Sequence, residues 1–370
     1  MNTLVPFNLP PVTAAYVVLY VVTLLLHVVF MAYVLGGSIM LGVAGLRRML
    51  GRVGPPSDWS AVTTVLKDWM PFALSAAITA GIAPLLFVQI LYQQAFYTAN
   101  LLSFHRWMAI VPVLIIAFYL LYLLKAHRIE GKLVLQSLTA MAAMACILFV
   151  AWSWVENHLL SLDRQAWPAQ YLAGAMVYTD PKILPRLAFY IASAFPAASV
   201  LLAWQLRGGA SGVSAEGARR STHMLAYVAV ISGVVAAAMV GWIVRAPAAA
   251  TTSPELAASM QAGVLAAWAG TAVVLLAWLP GLLGRAMSLP ALIAASAGTG
   301  VFWLGTLYAR EAARLSQVVD PSLLERHAQV GTWAGFAVFL TFAVLGLGAI
   351  GWVVRAVAKA RATMPGERYA

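Results

Sequence analysis

Cysteine is almost absent from the chain: Cys146 is the only one in 370 residues. A single thiol excludes an internal disulfide, the CxxCH attachment of a c-type haem and any cysteine-ligated iron–sulfur cluster. A cofactor would have to hang on histidine, methionine or carboxylate. Charge is nearly as scarce. Asp, Glu, Lys and Arg together make up 9% of the residues, and only 12 are acidic, too few to clothe the surface of a soluble domain. There is no clear internal repeat, and the one small polar low-complexity stretch is the loop at 208–217.

What fills the chain instead is apolar. Hydrophobic residues reach 62% with a mean hydropathy of +0.86, and uncharged runs of about 20 residues or more recur from end to end, the length a hydrocarbon layer requires. The expected fold is an all-α polytopic transmembrane bundle forming one membrane domain over 1–370. About nine spans are expected, near 12–46, 70–94, 104–124, 133–155, 184–206, 222–244, 257–281, 288–309 and 329–354. The residues before the first span lack a basic n-region and the run that follows is too long for a signal peptide, so it reads as a retained helix. Pro84, Pro112, Pro196 and Pro280 fall inside spans, where kinks are expected.

The net charge of +11 is spread over short loops rather than one patterned surface, which argues for membrane topology over a nucleic-acid partner. Placing Arg47, Arg48, Arg52 and Lys67 in the cytoplasm brings Lys125, Arg128 and Lys132, then Arg207, Arg219 and Arg220, then Arg285, and the tail with Arg355, Lys359, Arg361 and Arg368 to the same side. The opposite loops hold Glu156, Asp163, Asp180, Glu255, Glu311, Asp320 and Glu325. The N-terminus is expected outside and the C-terminus inside, in a multi-pass protein of a bacterial inner membrane. Two outer segments, 156–183 with Trp167, Tyr171 and Tyr178, and 310–328 with a charged stretch at 314–326, suit short helices lying at the interface.

His27 sits mid-span in Leu24-Leu25-Leu26-His27-Val28-Val29-Phe30 and precedes Leu35-Gly36-Gly37. An intramembrane imidazole is costly, and it has two readings: an axial ligand to haem iron, or a histidine hydrogen-bonded to a neighbouring carbonyl. The diglycine lets another backbone or a flat macrocycle approach. His105, Arg106 and Trp107 open the third span, and Glu156 and His158 close the fourth on the same side. They are candidates for haem ligation or proton relay against a background of plain interfacial anchoring. Met260, near the outer end of the seventh span, could complete a low-spin haem or simply pack. Gln89, Gln93 and Gln94 read as bridges between helices, and Tyr308, Arg310 and Glu311 as an ion pair, structural or beside a haem propionate or quinone. His127, His223 and His327 fall at span ends or in charged loops, where solvation or capping is expected.

This order of features resembles subunit I of the cytochrome bd quinol oxidases, which also has nine spans and an outside N-terminus. His27 followed by Leu35 and Gly36 is similar to that family's haem-bearing first helix. Residues 64–89 resemble its amphipathic lead-in and second helix, and Asp180-Pro181 with Arg186 looks like the Asn-Pro and Lys that open its fifth. Met260 falls where its low-spin haem methionine would be, and Tyr308-Ala309-Arg310-Glu311 is similar to the Tyr-Gly-Arg-Gln that begins its Gly-Arg-Gln-Pro-Trp motif. The chain departs from the pattern at Phe189, in place of a haem histidine, at Gly300, in place of a haem glutamate, and at Ala312 and Ala313, in place of Pro-Trp. The loop 246–254 is far shorter than the family's quinol-binding loop.

The resemblance implies a membrane subunit of an electron-transfer complex, with haem b on His27, His105 and Met260 as ligand candidates for a second site, and Arg106 and Arg310 as partners for propionate or quinone. Quinol in the lipid and an outer-face redox subunit such as a cytochrome c are the implied partners. The alternatives are a haem-free anchor of a redox complex and a small-solute transporter or channel. Transporters usually show paired intramembrane carboxylates and cations, and no Asp or Glu is expected well inside a span.

Overall fold

The computed structural model describes residues 7, 9–51, 59–208, 213–245, 253–318 and 333–363. They form eleven helices and, among the described residues, no strand. These are α1 (Pro11–Met49), α2 (Trp59–Leu91), α3 (Gln93–Leu102), α4 (Phe104–Lys125), α5 (Leu133–Leu162), α6 (Ala166–Ala173), α7 (Ile183–Arg207), α8 (Ala215–Arg245), α9 (Pro254–Leu282), α10 (Leu289–Val318) and α11 (Trp333–Thr363). Eight of them, α1, α2, α4, α5 and α7 to α10, are long and apolar enough to cross a membrane. The ninth expected span falls on α11, which is apolar over Trp333–Ala349. The protein is an all-α polytopic helix bundle.

Two compact units are present, Leu19–Val319 and a smaller one of Met1–Val18 with Asp320–Ala370, which contains the first turns of α1 and α11. Within the larger unit α7 is the most enclosed span and α4 the least. Neighbours in sequence pack as hairpins, α4 on α5, α7 on α8, α8 on α9 and α9 on α10, and α7 also touches α2, α5 and α10. The core holds Met40, Leu66, Met70, Leu121, Leu202, Leu225 and Trp278, all less than 2% exposed.

Helix formation here follows from the solvent. Lipid offers no partner for a bare N–H or C=O, so each span closes its own ladder. Hydroxyls do the same locally: Thr139, Ser153, Ser193, Thr222, Thr271, Thr299 and Thr306 each donate to the carbonyl four residues back. Starts and stops carry ordinary signals. Ser253 accepts from the Leu256 N–H at 3.3 Å ahead of Pro254, and Gly174 closes α6 at φ 56°.

The tightest seam lies between α9 and α10. A Cβ built on Gly263 would sit 2.6 Å from the Gly305 carbonyl oxygen, and one on Gly298 would sit 2.8 Å from that of Gly270. The glycines recur seven residues apart on both helices, which keeps backbone against backbone for two turns. The diglycine of α1 is used the same way. Gly36 meets Ala198 of α7, and Gly37 meets Leu66 and Met70 of α2, so protein occupies that approach.

The outer segments differ from expectation. Residues 156–162 continue α5, leaving only α6 as a short exposed helix, with Tyr171 and Leu172 at 76% and 83% exposure. Residues 310–318 continue α10 into the bundle instead of lying at the interface, because Arg310-Glu311-Ala312-Ala313-Arg314 is helix-favouring and contains no breaker. Residues 319–332, with His327, lie outside the described residues, as does most of the 246–254 loop. α3, between Tyr92 and Ser103, was not expected at all. It packs on α5, where the Asn157 side-chain amide donates to Asn100 Oδ1 at 2.8 Å and Ser103 Oγ at 3.3 Å.

Replacing Gly305 with Leu should drive the α9/α10 seam apart and cost roughly 3 kcal/mol, the upper part of the usual range for overpacking. Gly300→Leu, whose added side chain starts in open space, should leave the unfolding transition of the purified protein in place.

Candidate functional site

The described helices carry their charges inward at one end of the bundle, the end that the charge bias places outside. α10 supplies Arg310, Glu311 and Arg314; α7 supplies Arg186 and Tyr190; α5 supplies His158; α1 supplies Tyr20; and Tyr92 stands at the joint between α2 and α3. Glu311, Arg186 and Arg314 are 0%, 2% and 6% exposed. The period of α10 explains the convergence, since positions 310 and 314 are one turn apart and share a face.

Arg314 is the hub. Its guanidinium lies 4.7 Å from the Tyr92 ring centroid and 5.6 Å from that of Tyr20, so the cation is held between two π faces. Its Nη1 donates to the Tyr20 hydroxyl at 3.1 Å, and Arg310 Nη2 donates to the same oxygen at 2.8 Å. Glu311 Oε2 is 3.7 Å from Arg314 Nη1, and Glu311 Oε1 accepts from the Tyr92 hydroxyl. Burial and the adjacent Glu311 carboxylate push the Tyr92 phenol well above its usual range, so it remains a donor. Arg314 Nη2 lies 3.1 Å from His158 Nδ1. A guanidinium can only donate, so Nδ1 is the lone-pair nitrogen and Nε2 carries the proton.

Donors outnumber acceptors here. Arg186 gives one hydrogen bond, from Nη2 to the Ile243 carbonyl at 3.1 Å, while its Nε and Nη1, Arg310 Nε and His158 Nε2 are buried with no hydrogen-bond partner. Tyr190 stands beside Arg310 and Arg186. Three guanidiniums gather here, close enough to repel one another; Glu311 is the carboxylate that acts on Arg310 and Arg314. Asp180 is the carboxylate that acts on Arg186, and it also accepts from the Tyr178 hydroxyl at 3.0 Å and the Lys182 N–H at 2.6 Å.

A second ion pair joins a buried carboxylate to a half-buried guanidinium. Glu156, 0% exposed, accepts from the Tyr178 N–H at 2.8 Å and pairs with Arg106 of α4 at 2.8 Å. Arg106 is therefore a partner to Glu156 rather than to the α10 cluster. Tyr178 also presents its hydroxyl to Asp163 at 2.9 Å, and burial together with Asp163 and Asp180 raises its phenol far above the ordinary value. Both Glu156 and Glu311 sit within long helices. α5 and α10 run several residues further than the apolar pattern shows, which brings these carboxylates into their last two turns.

The remaining sites are dispersed. His27 Nδ1 lies 2.9 Å from the Ala77 carbonyl of α2, and its ring fills the space over Gly81, where a Cβ would meet Cε1 and Nδ1 at 3.0 Å. A carbonyl only accepts, so Nδ1 carries the proton and Nε2 keeps its lone pair. His105 is exposed at the start of α4 with its ring against Phe104. Met260 is buried on α9, which packs on α8 and α10, one residue from Ser259, whose hydroxyl lies 3.4 Å from that of Tyr308. Among the described residues, no hydrogen bond, ion pair or ring contact joins His27, His105 and Met260. His223 bonds the Gly281 carbonyl at 2.7 Å at the other end, and Phe189 packs near Phe302 at 6.4 Å.

Sequence reasoning groups Arg310 and Glu311 with Tyr308 as an ion pair and finds His158 separately; in the fold Glu311 pairs with Arg314 and Arg310 bonds Tyr20. It misses their union with Tyr20, Tyr92, Tyr190, Arg186 and Arg314, although the four-residue spacing of Arg310 and Arg314 on an unbroken helix was a usable signal.

Removing the carboxylate at the hub, Glu311→Gln, leaves buried cations uncompensated and should cost about 3–5 kcal/mol, read as a fall in the unfolding temperature of the detergent-solubilised protein. Glu216→Gln, which loses an exposed pair with Arg219 and Arg220, should leave that temperature unchanged. No protein-family model matches the chain, and no curated protein does.

Proposed function

We propose that the chain is an integral membrane subunit of an electron-transfer complex, carrying b-type haem on His27 and facing a quinol pool in the lipid. On this reading it works in a bacterial inner membrane with an outer-face redox partner such as a cytochrome c. The observation that carries the reading is the tautomer of His27. An imidazole whose Nδ1–H is fixed by a backbone carbonyl presents Nε2 as a free lone pair in an oriented ring, which is how histidine is prepared for iron. A bound haem would supply one-electron transfer. The protein's own part is to hold the ring: Ala77 fixes its tautomer and Gly81 gives it room. Arg310 lies on the outer side of the bundle in a donor-rich network suited to acidic or carbonyl oxygens.

The buried charges favour a second reading, transport of a small anionic solute, because ionisable residues facing a bundle interior commonly mark a substrate path. Glu311, Arg314, Arg310 and Arg186 meet that description.

A pyridine haemochrome spectrum of the purified chain decides between them. The redox reading expects a b-type signal that disappears in His27→Ala while the protein stays folded. No signal in the wild-type chain leaves a haem-free anchor or a transporter, and anion flux into liposomes without any redox partner selects the transporter. A haem signal that survives His27→Ala removes His27 from the site.

A further inference from the structure

We propose that the cluster of Arg186, Arg310, Arg314 and His158 binds an oxyanion, a carboxylate or phosphate group, at the outer end of α10. The inference rests on the cluster alone and needs no haem on His27.

Charge is the first ground. Arg186, Arg310 and Arg314 bring three positive charges; Glu311 acts on Arg310 and Arg314 and the more distant Asp180 on Arg186, so cations still outnumber carboxylates. An uncompensated buried cation is among the costliest features a fold can carry, and proteins normally pair it. The second ground is the sign of the unmet hydrogen bonds. Arg186 is 2% exposed and has two nitrogens, Nε and Nη1, without a partner. Arg310 Nε is likewise unpartnered. His158 adds a fourth such donor, since its Nδ1 accepts from Arg314 and so its Nε2 bears hydrogen. Beyond Glu311 Oε2, already ion-paired to Arg314, these unmatched atoms are all donors. A ligand that supplies several acceptor oxygens and a negative charge answers both deficits at once. Nη2, already given to Ile243, is common to both forked edges of the guanidinium, so Nε and Nη1 each offer a single charged donor to a separate acceptor oxygen.

That chemistry has two sources, a free small anion or the phosphate of an anionic lipid headgroup in the outer leaflet. Thermal unfolding of the purified full chain separates them. One arm titrates inorganic phosphate and succinate into protein in neutral detergent. The other compares nanodiscs of phosphatidylglycerol with nanodiscs of phosphatidylcholine. A saturable rise in unfolding temperature with phosphate or succinate assigns a free anion, and a rise with phosphatidylglycerol alone assigns a headgroup. In either case Arg186→Gln should abolish the rise, and Arg186→Lys, which keeps the charge but loses the Nε donor, should weaken binding about tenfold, the worth of one hydrogen bond to a charged group. Arg186→Gln should also leave the anion-free protein no less stable than wild type, because it removes an unpaired buried charge. No rise in either arm overturns the proposal, as does a rise that Arg186→Lys leaves unchanged. Should Arg186→Gln fail to fold, the Lys variant carries the test.

Discussion

Hydrocarbon offers no hydrogen bonds, and this constraint shapes each level of the protein. It forces the backbone into closed helical ladders and makes serine and threonine hydroxyls turn back on their own helix. With the hydrophobic effect absent between helices in lipid, association depends on close packing and on polar contacts. Glycines Gly263, Gly270, Gly298 and Gly305 supply the first between α9 and α10. The tyrosine, arginine and carboxylate network supplies the second, tying α1, α5, α7 and α10 at one end.

The two charged clusters differ in balance. Glu156 and Arg106 are one carboxylate and one guanidinium, with the second carboxylate oxygen met by the Tyr178 N–H. The pair is balanced in charge and braces α4 against α5. The network on α10 has more donors than acceptors and more cations than anions. A brace built only for stability would have no reason to leave Arg186 half-bonded, because each missing partner raises the cost of burial.

Much of this fold was legible in the sequence, and the illegible part has a common cause. Helix class and eight of the nine expected spans follow from long uncharged runs, which depend on composition alone. Helix ends do not. The apolar pattern stops near Ala309, yet α10 continues to Val318, because alanine, arginine and glutamate favour helix as strongly as the apolar residues before them. Cutting the helix early placed Arg314 at the interface, whereas in the fold it is 6% exposed between two tyrosine rings. Tyr20 and Tyr92 gave no warning, since tyrosine near a span end reads as an interfacial anchor. His27 was legible as costly. Its partner Ala77, 50 residues away, was not, because a backbone carbonyl leaves no trace in sequence.

The glycine seam has a mechanical consequence for the charged end. With backbones in contact, α9 and α10 cannot roll over one another as helices cushioned by large side chains can, so the azimuth of α10 is locked. A roll of roughly 20° would carry the tip of a long side chain by about 2 Å, enough to break the contacts of Arg310 and Arg314 with Tyr20. The aim of the guanidiniums is thus set from outside the cluster, by residues that bear no charge.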